Sequence, residues 1–191
     1  LFESFGIEEL FATGQTRSFS FLLDMNQLFE KFITRFVAHT LQGRPFQIYP
    51  QRRDRSIIWD LMGKRPYTHV VPDLLIETET GQRLTIDAKY KLYDERRLST
   101  GDIYQSFFYA YSYNSGDKQK PAALLLYPSS KPHEHSSYLQ IRSPGHQAKA
   151  ELQALAISIP QAIAEINEKI IGPTSKLLLD AVEQFTEDFA L

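Results

Sequence analysis

Residues Val70–Glu77 read VVPDLLIE and residues Arg83–Tyr90 read RLTIDAKY, with TETGQ (Thr78–Gln82) between them. Leucine, isoleucine and β-branched side chains fill both segments, and Gly81 suits a turn, so the pattern predicts two adjacent strands joined as a hairpin. Side chains two positions apart on a strand face the same side. Asp87 and Lys89 therefore project together while Ala88 points away, and Asp73 on the neighbouring strand reaches the same point. Two carboxylates and one ammonium are expected at the edge of an otherwise apolar sheet.

Working outward, Asp24–Leu41 reads as an amphipathic helix. Asp24 and Gln27 have capping-box spacing, and Met25, Leu28, Phe29, Phe32, Ile33, Phe36 and Val37 recur at helical intervals before Gly43 and Pro45. Glu30 lies beside that apolar face. Upstream, Leu1–Phe21 is expected to form a short helix or turn, leading to a short strand at Ser18–Leu23. From Arg44 to Arg65 the chain is basic: Arg44, Arg52, Arg53, Arg55, Lys64 and Arg65 stand against Asp54 and Asp60. The apolar pieces Phe46–Tyr49 and Ile57–Leu61 suggest strands or a hairpin there.

Downstream, Ser99 and Asp102 open a helix running to about Tyr113, on which Gln105 and Tyr109 share a face as i, i+4 neighbours. Ala122–Tyr127 (AALLLY), bounded by prolines, is a fully buried strand. Ser129–Ser137 reads as loop, and Tyr138–Arg142 and Glu151–Ile159 as strands. A helix with Pro160 at its start runs to Ile171, Gly172-Pro173 breaks it, and Ser175–Phe189 forms a last, acidic helix. This order defines an α/β fold with a mixed central β-sheet flanked by helices.

With 191 residues, the chain is expected to be a single domain. Apolar residues make up 42 % and charged residues 23 %, which excludes a disordered tail. The absence of cysteine excludes disulfides, thiolate zinc sites and iron–sulfur clusters, and suits a cytoplasmic location. No apolar run is long enough to span a membrane. Leu1 opens the chain and the only methionines are Met25 and Met62, so a carboxy-terminal fragment of a longer protein is expected. No Walker-type G-x-x-x-x-G-K-[ST] loop occurs, which argues against nucleotide hydrolysis by this chain.

The carboxylate pair limits the chemistry. Two close carboxylates repel, and one holds its proton unless a cation intervenes. Oxygen ligands suit Mg²⁺, with Mn²⁺ as a substitute. Such a metal activates water and neutralises phosphodiester charge, and Lys89 is expected either to hold the attacking water or to stabilise the pentavalent transition state. The competing reading is a structural ion pair between Lys89 and one aspartate. His133-Glu134-His135 looks ligand-like but sits in a proline- and serine-flanked loop, which speaks against a metal site.

The pattern Pro72-Asp73, thirteen intervening residues, then Asp87-Ala88-Lys89 resembles the PD-(D/E)xK nuclease superfamily. More specifically, FLLDMNQLFEKF (Phe21–Phe32), PDLLI (Pro72–Ile76), IDAKYK (Ile86–Lys91) and DIYQSFFYAY (Asp102–Tyr111) resemble the McrC family, the nuclease subunits of McrBC-type restriction systems directed at 5-methylcytosine in antiviral defence. The resemblance covers about residues 20–175. It implies a restriction-endonuclease-like core and a Mg²⁺-dependent DNA endonuclease. It also implies an McrB-like AAA+ GTPase hexamer as partner, engaged through an amino-terminal part that this chain lacks, and nuclease pairing for double-strand cutting.

By position, Asp73, Asp87 and the Ala88 carbonyl would be metal ligands and Lys89 the catalytic lysine. Glu30 would contact a second metal or its water, and Gln105 with Tyr109 matches a Q-x-x-x-Y motif that orients phosphate or the catalytic carboxylates. Arg52, Arg53, Arg55 and Lys91 are the expected DNA contacts. Two alternatives stand beside this: a RecB- or Cas4-like exonuclease of the same superfamily, and a non-catalytic DNA-binding or assembly module.

Overall fold

The computed structural model describes residues 24–93, 97–114, 120–130 and 136–187. The expected strand at Ser18–Leu23, the His133-Glu134-His135 loop and the end of the last helix lie outside them. Helix α1 spans Met25–Thr40, followed by β1 Phe46–Pro50, β2 Asp54–Asp60, β3 Arg65–Val70, β4 Leu74–Thr78 and β5 Arg83–Ala88. Helix α2 (Thr100–Tyr113) leads to β6 Ala122–Pro128, β7 Ser137–Arg142, β8 Ala148–Ile157, α3 Ile159–Glu168 and α4 Pro173–Glu187.

Six strands form one mixed sheet in the order β1-β4-β5-β6-β8-β7, and β2 pairs with β3 in a separate two-stranded sheet. The β4–β5 hairpin is antiparallel, with Leu74 opposite Ile86 and Glu77 opposite Arg83. Strands β5 and β6 are parallel, as are β6 and β8. A parallel pair needs a long crossover, and α2 supplies it between β5 and β6.

The alternation of β6 divides the core. Leu124 and Leu126 pack with α1 and α4 through Phe29, Ile33, Phe36, Val37, Leu178 and Val182. Leu125 and Tyr127 face the opposite layer with Ala110 of α2 and Leu152 and Ala154 of β8. All seven residues of β6 are buried, as the apolar run required.

The apolar stretch Val70–Glu77 divides into two strands. Pro72 has no N–H for a ladder bond, so β3 ends at Val70 and β4 begins at Leu74. Asp73 therefore stands at the head of β4 instead of inside a strand. The Gln51 N–H donates to the Asp73 carbonyl at 2.9 Å and keeps β1 in register there.

Helix α3 also differs from expectation, ending at Glu168 and not Ile171. Lys169 adopts the left-handed conformation (φ 56°), and the Ile170 N–H closes back on the Glu165 carbonyl at 3.0 Å.

Both amino-terminal caps follow the sequence. Asp24 accepts from the Asn26 and Gln27 N–H groups, and Ser99 accepts from the Asp102 N–H.

Candidate active site

Asp73, Asp87 and Lys89 converge where β4 begins and β5 ends. Asp73 Oδ2 accepts the Ala88 N–H at 2.8 Å, which pins the carboxylate across the hairpin. Asp87, only 2 % exposed, receives the Lys89 ammonium at 2.9 Å on Oδ1. Its Oδ2 lies 2.8 Å from the same nitrogen but outside hydrogen-bonding geometry. The Lys89 N–H donates to the Leu126 carbonyl at 2.9 Å, extending the parallel ladder one step past β5 and fixing the lysine backbone.

Lys89 is also bonded from α2. Its ammonium donates to Gln105 Oε1 at 3.0 Å, Gln105 Nε2 donates to the Tyr109 hydroxyl at 3.0 Å, and that hydroxyl donates to the Val71 carbonyl at 3.2 Å. An ammonium only donates, so the amide oxygen must face it and the amide nitrogen must face the phenol. The Q-x-x-x-Y pair is thus a directional chain from the lysine to the backbone two residues before Asp73. The structure gives Gln105 and Tyr109 a positioning contact with Lys89.

Electrostatics follow from burial. Burial pushes the Asp87 carboxyl up, the Lys89 charge and hydrogen bond pull it down, and Asp73 raises it again, leaving it at about 6. Burial raises Asp73 as well, and its bond from Ala88 and the Lys89 charge only partly offset that. Burial alone would lower Lys89, but Asp87 outweighs it and holds the ammonium above its usual range. The pair of carboxylates carries more negative charge than one lysine balances, so the centre favours a proton or a further cation.

Glu30 on α1 feels this centre. Burial raises its pKa, Lys89 lowers it, and Asp24 and Asp87 raise it. Among the described residues no three acidic, histidine or cysteine side chains group tightly enough to hold a metal, so Glu30 does not form such a group with Asp73 and Asp87. Tyr90 faces away from Lys89 and packs on Phe29 with ring centroids 5.8 Å apart.

The basic residues divide. Arg53 and Arg55 are exposed and make no ion pair among the described residues. Arg52 is occupied by Glu77 at 3.8 Å and by the Tyr49 ring at 5.0 Å. Lys91 donates to both oxygens of Asp102, at 2.9 and 2.7 Å. Asp102 also receives Tyr93 and the Ser99 hydroxyl. Burial would raise the Asp102 carboxyl, but these bonds hold it below the usual carboxylate range. Sequence reading assigned Asp102 only to the helix start; its part in holding Lys91 depends on the fold bringing residues 91–93 back against α2.

This fold and centre define a mixed α/β protein with one buried carboxylate, one half-buried carboxylate and a lysine at the end of a sheet hairpin. The chain belongs to the family described as McrBC 5-methylcytosine restriction system component, whose model matches residues 6–128. Among solved structures it is similar to a chain of the half-complex from the tetradecameric assembly of Thermococcus gammatolerans McrB AAA+ hexamers with bound McrC. That likeness has a TM-score of 0.58 at 19 % identity and covers 84 % of this chain but 34 % of the other, so this chain spans about a third of its length. No curated protein matches the chain. Among the described residues no helix is long and apolar enough to cross a membrane.

Proposed function

We propose that this chain is a PD-(D/E)xK DNA endonuclease domain, the cleavage subunit of a modification-dependent McrBC-like restriction system. The observation that carries the reading is the joining of Asp73, Asp87 and Lys89 at one point. The acids are held by backbone and ammonium contacts, and the lysine is bonded from a second element.

The donor set suits a hard divalent cation. Both carboxylates are disfavoured as ions by burial, and Asp87 Oδ2 is buried without a hydrogen bond. Asp73, Asp87 and the Ala88 carbonyl would hold Mg²⁺, with Mn²⁺ as a substitute and Glu30 adding negative field. When bound, the ion would supply Lewis acidity that neutralises phosphodiester charge and acidifies water.

The chain's own groups do the rest. Lys89 remains an ammonium at neutral pH and donates to the phosphate oxygens as negative charge develops on them. Asp87 and Gln105 fix where that donor stands. Water adds to phosphorus and releases a proton to solvent, and the bond to the leaving sugar oxygen breaks as that oxygen takes up a proton from solvent. Arg53 and Arg55 are available for backbone phosphates, with Arg52 and Lys91 behind them.

The partner reading rests on the structural neighbour, in which McrC is bound to McrB AAA+ hexamers. We infer a similar GTPase partner here, with nuclease copies paired for double-strand cutting. The test is cleavage of covalently closed circular DNA by the assembled complex. Lys89→Ala and Asp87→Ala are expected to abolish cutting while leaving assembly intact. Variants that cut as fast as wild type would overturn the reading, and activity restricted to linear ends would replace it with an exonuclease.

A further inference from the structure

The β2–β3 hairpin stands outside the main sheet and ends in an apolar tip. Leu61 is 83 % exposed and Met62 is 95 % exposed, and Trp59 and Tyr67 on the two strands are exposed as well. Side chains of this kind at a loop tip cost solubility without adding to the core. The tip is nonetheless firmly built. Asp60 Oδ1 accepts the Met62 and Gly63 N–H groups at 3.0 and 2.9 Å. A β-carbon at Gly63 would come within 2.4 Å of Asp60 Oδ2, so only glycine fits that turn without displacing the aspartate.

Charge identifies what the hairpin meets. Residues 52–69 carry five basic side chains against two acidic ones, in a chain whose net charge is -2. Arg53, Arg55 and Lys64 are exposed and free of ion pairs among the described residues. Such a combination, cations at the hairpin's root (Arg53, Arg55) and in its turn (Lys64) with bare aliphatic side chains at the end, suits a polyanion with an apolar interior. Duplex DNA has phosphates outside and stacked bases within.

The hairpin is also coupled to the candidate active site. Strand β3 runs through Val70 into Val71-Pro72-Asp73. At its root Ile57, Ile58 and Val70 pack with Tyr109 and Tyr113 of α2. Six residues of β3 extend about 20 Å, so tip and centre reach the same helical turn of a duplex.

We propose that Leu61 and Met62 form a wedge that presses between adjacent base pairs of duplex DNA, while Arg53, Arg55 and Lys64 bind flanking phosphates. The tip's one carboxylate, Asp60, is taken up by the Met62 and Gly63 N–H groups and lies 4.0 Å from the Arg65 guanidinium, so the contact is one of shape and unstacking and carries little sequence preference. The wedge deepens the nuclease reading, since it assigns the DNA-engaging element of that same domain, but its test is a binding test.

Binding of the whole chain, with its AAA+ partner where assembly requires it, would be measured by anisotropy across a salt series. The probe is a duplex of about three helical turns carrying 2-aminopurine at successive positions. Leu61→Ser/Met62→Ser is expected to weaken binding roughly tenfold, keep the salt slope, and abolish the 2-aminopurine signal. Arg53→Ala/Arg55→Ala is expected to reduce the slope by about two. Both pairs are exposed, so the variants fold.

Wild-type binding and unstacking by the tip variant would overturn the wedge. Loss of partner assembly with DNA binding intact would overturn it too, and would assign the tip to a protein. Asp73→Ala separates the two readings, because it should unstack DNA as wild type does while cutting none. Unstacking without cleavage by wild type would sink the nuclease reading and leave the wedge standing.

Discussion

The Tyr109 hydroxyl donates to the Val71 carbonyl at 3.2 Å, tying helix α2 to the backbone two residues ahead of Asp73. The same oxygen accepts from Gln105, whose amide oxygen holds Lys89. One phenol therefore aligns both sides of the centre, the acid-bearing turn and the lysine. Tyr109→Phe removes that link and leaves the Lys89–Asp87 contact in place. Its cleavage rate under single-turnover conditions is expected to fall roughly tenfold with DNA affinity unchanged, whereas Lys89→Ala should lose at least about a hundredfold. Equal losses in the two variants would show that Tyr109 does more than position.

Asp73 has two separable roles. Its Oδ2 accepts the buried Ala88 N–H, and its charge would bind metal. Asp73→Asn keeps an acceptor for that N–H and removes the repulsion toward Asp87. It is expected to match or exceed wild-type stability without metal, while calorimetry shows no Mn²⁺ heat. Asp73→Ala leaves the N–H unpaired and should cost about 1–3 kcal/mol in denaturant unfolding as well as the metal. An Asp73→Asn protein that still binds Mn²⁺ as wild type does would move the metal elsewhere.

Asp87 gives the metal-free protein a pH signature. Its carboxyl is pushed up to about 6 in the fold, against about 3.9 in an unfolded chain. The folded state then binds more protons than the unfolded state between those values. Stability from this group is full below the unfolded value and is lost as pH rises through 6. In EDTA, wild type should melt a few degrees lower at pH 7.5 than at pH 5.5, on the order of 1 kcal/mol. Asp87→Asn should flatten that slope, and so should saturating Mg²⁺, which competes for the same oxygens.

Much of this was legible because local chemistry and fold agree. The run Ala122–Tyr127 reads as a strand covered on both faces, and the alternation of Ile86, Asp87, Ala88 and Lys89 set which side chains meet. Pro72 was visible too, yet its effect was masked by the apolar residues around it, which made one strand of what the missing N–H divides into two. Partners across long loops were not legible. Arg52 and Lys91 read alike as free cations, but folding places Glu77 beside one and Asp102 beside the other. Spacing shows that Gln105 and Tyr109 share a face, and only the packing of α2 on β5 shows that the face meets Lys89.

The carboxy-terminal layer offers a test independent of catalysis. Glu165 is 3 % exposed, and its carboxylate caps α4 by accepting the Thr174 N–H at 2.9 Å, the Ser175 N–H at 2.8 Å and the Ser175 hydroxyl at 2.5 Å. A negative charge at a helix amino terminus is favourable, and those N–H groups have no partner within the helix. Glu165→Ala should therefore cost about 3 kcal/mol in chemical denaturation, with Mn²⁺ binding of the folded protein unchanged. Gly172 is coupled to the same carboxylate, because a β-carbon there would come within 2.5 Å of Glu165 Oε1. Gly172→Ala must push the cap aside and should be destabilising on its own. In a Glu165→Ala background nothing remains to be pushed, and the reduced freedom of the unfolded chain should make the same change neutral or mildly stabilising. A double-mutant cycle measures this sign reversal directly. Additive costs would mean that Gly172 is required for its backbone and not for the space the glutamate occupies.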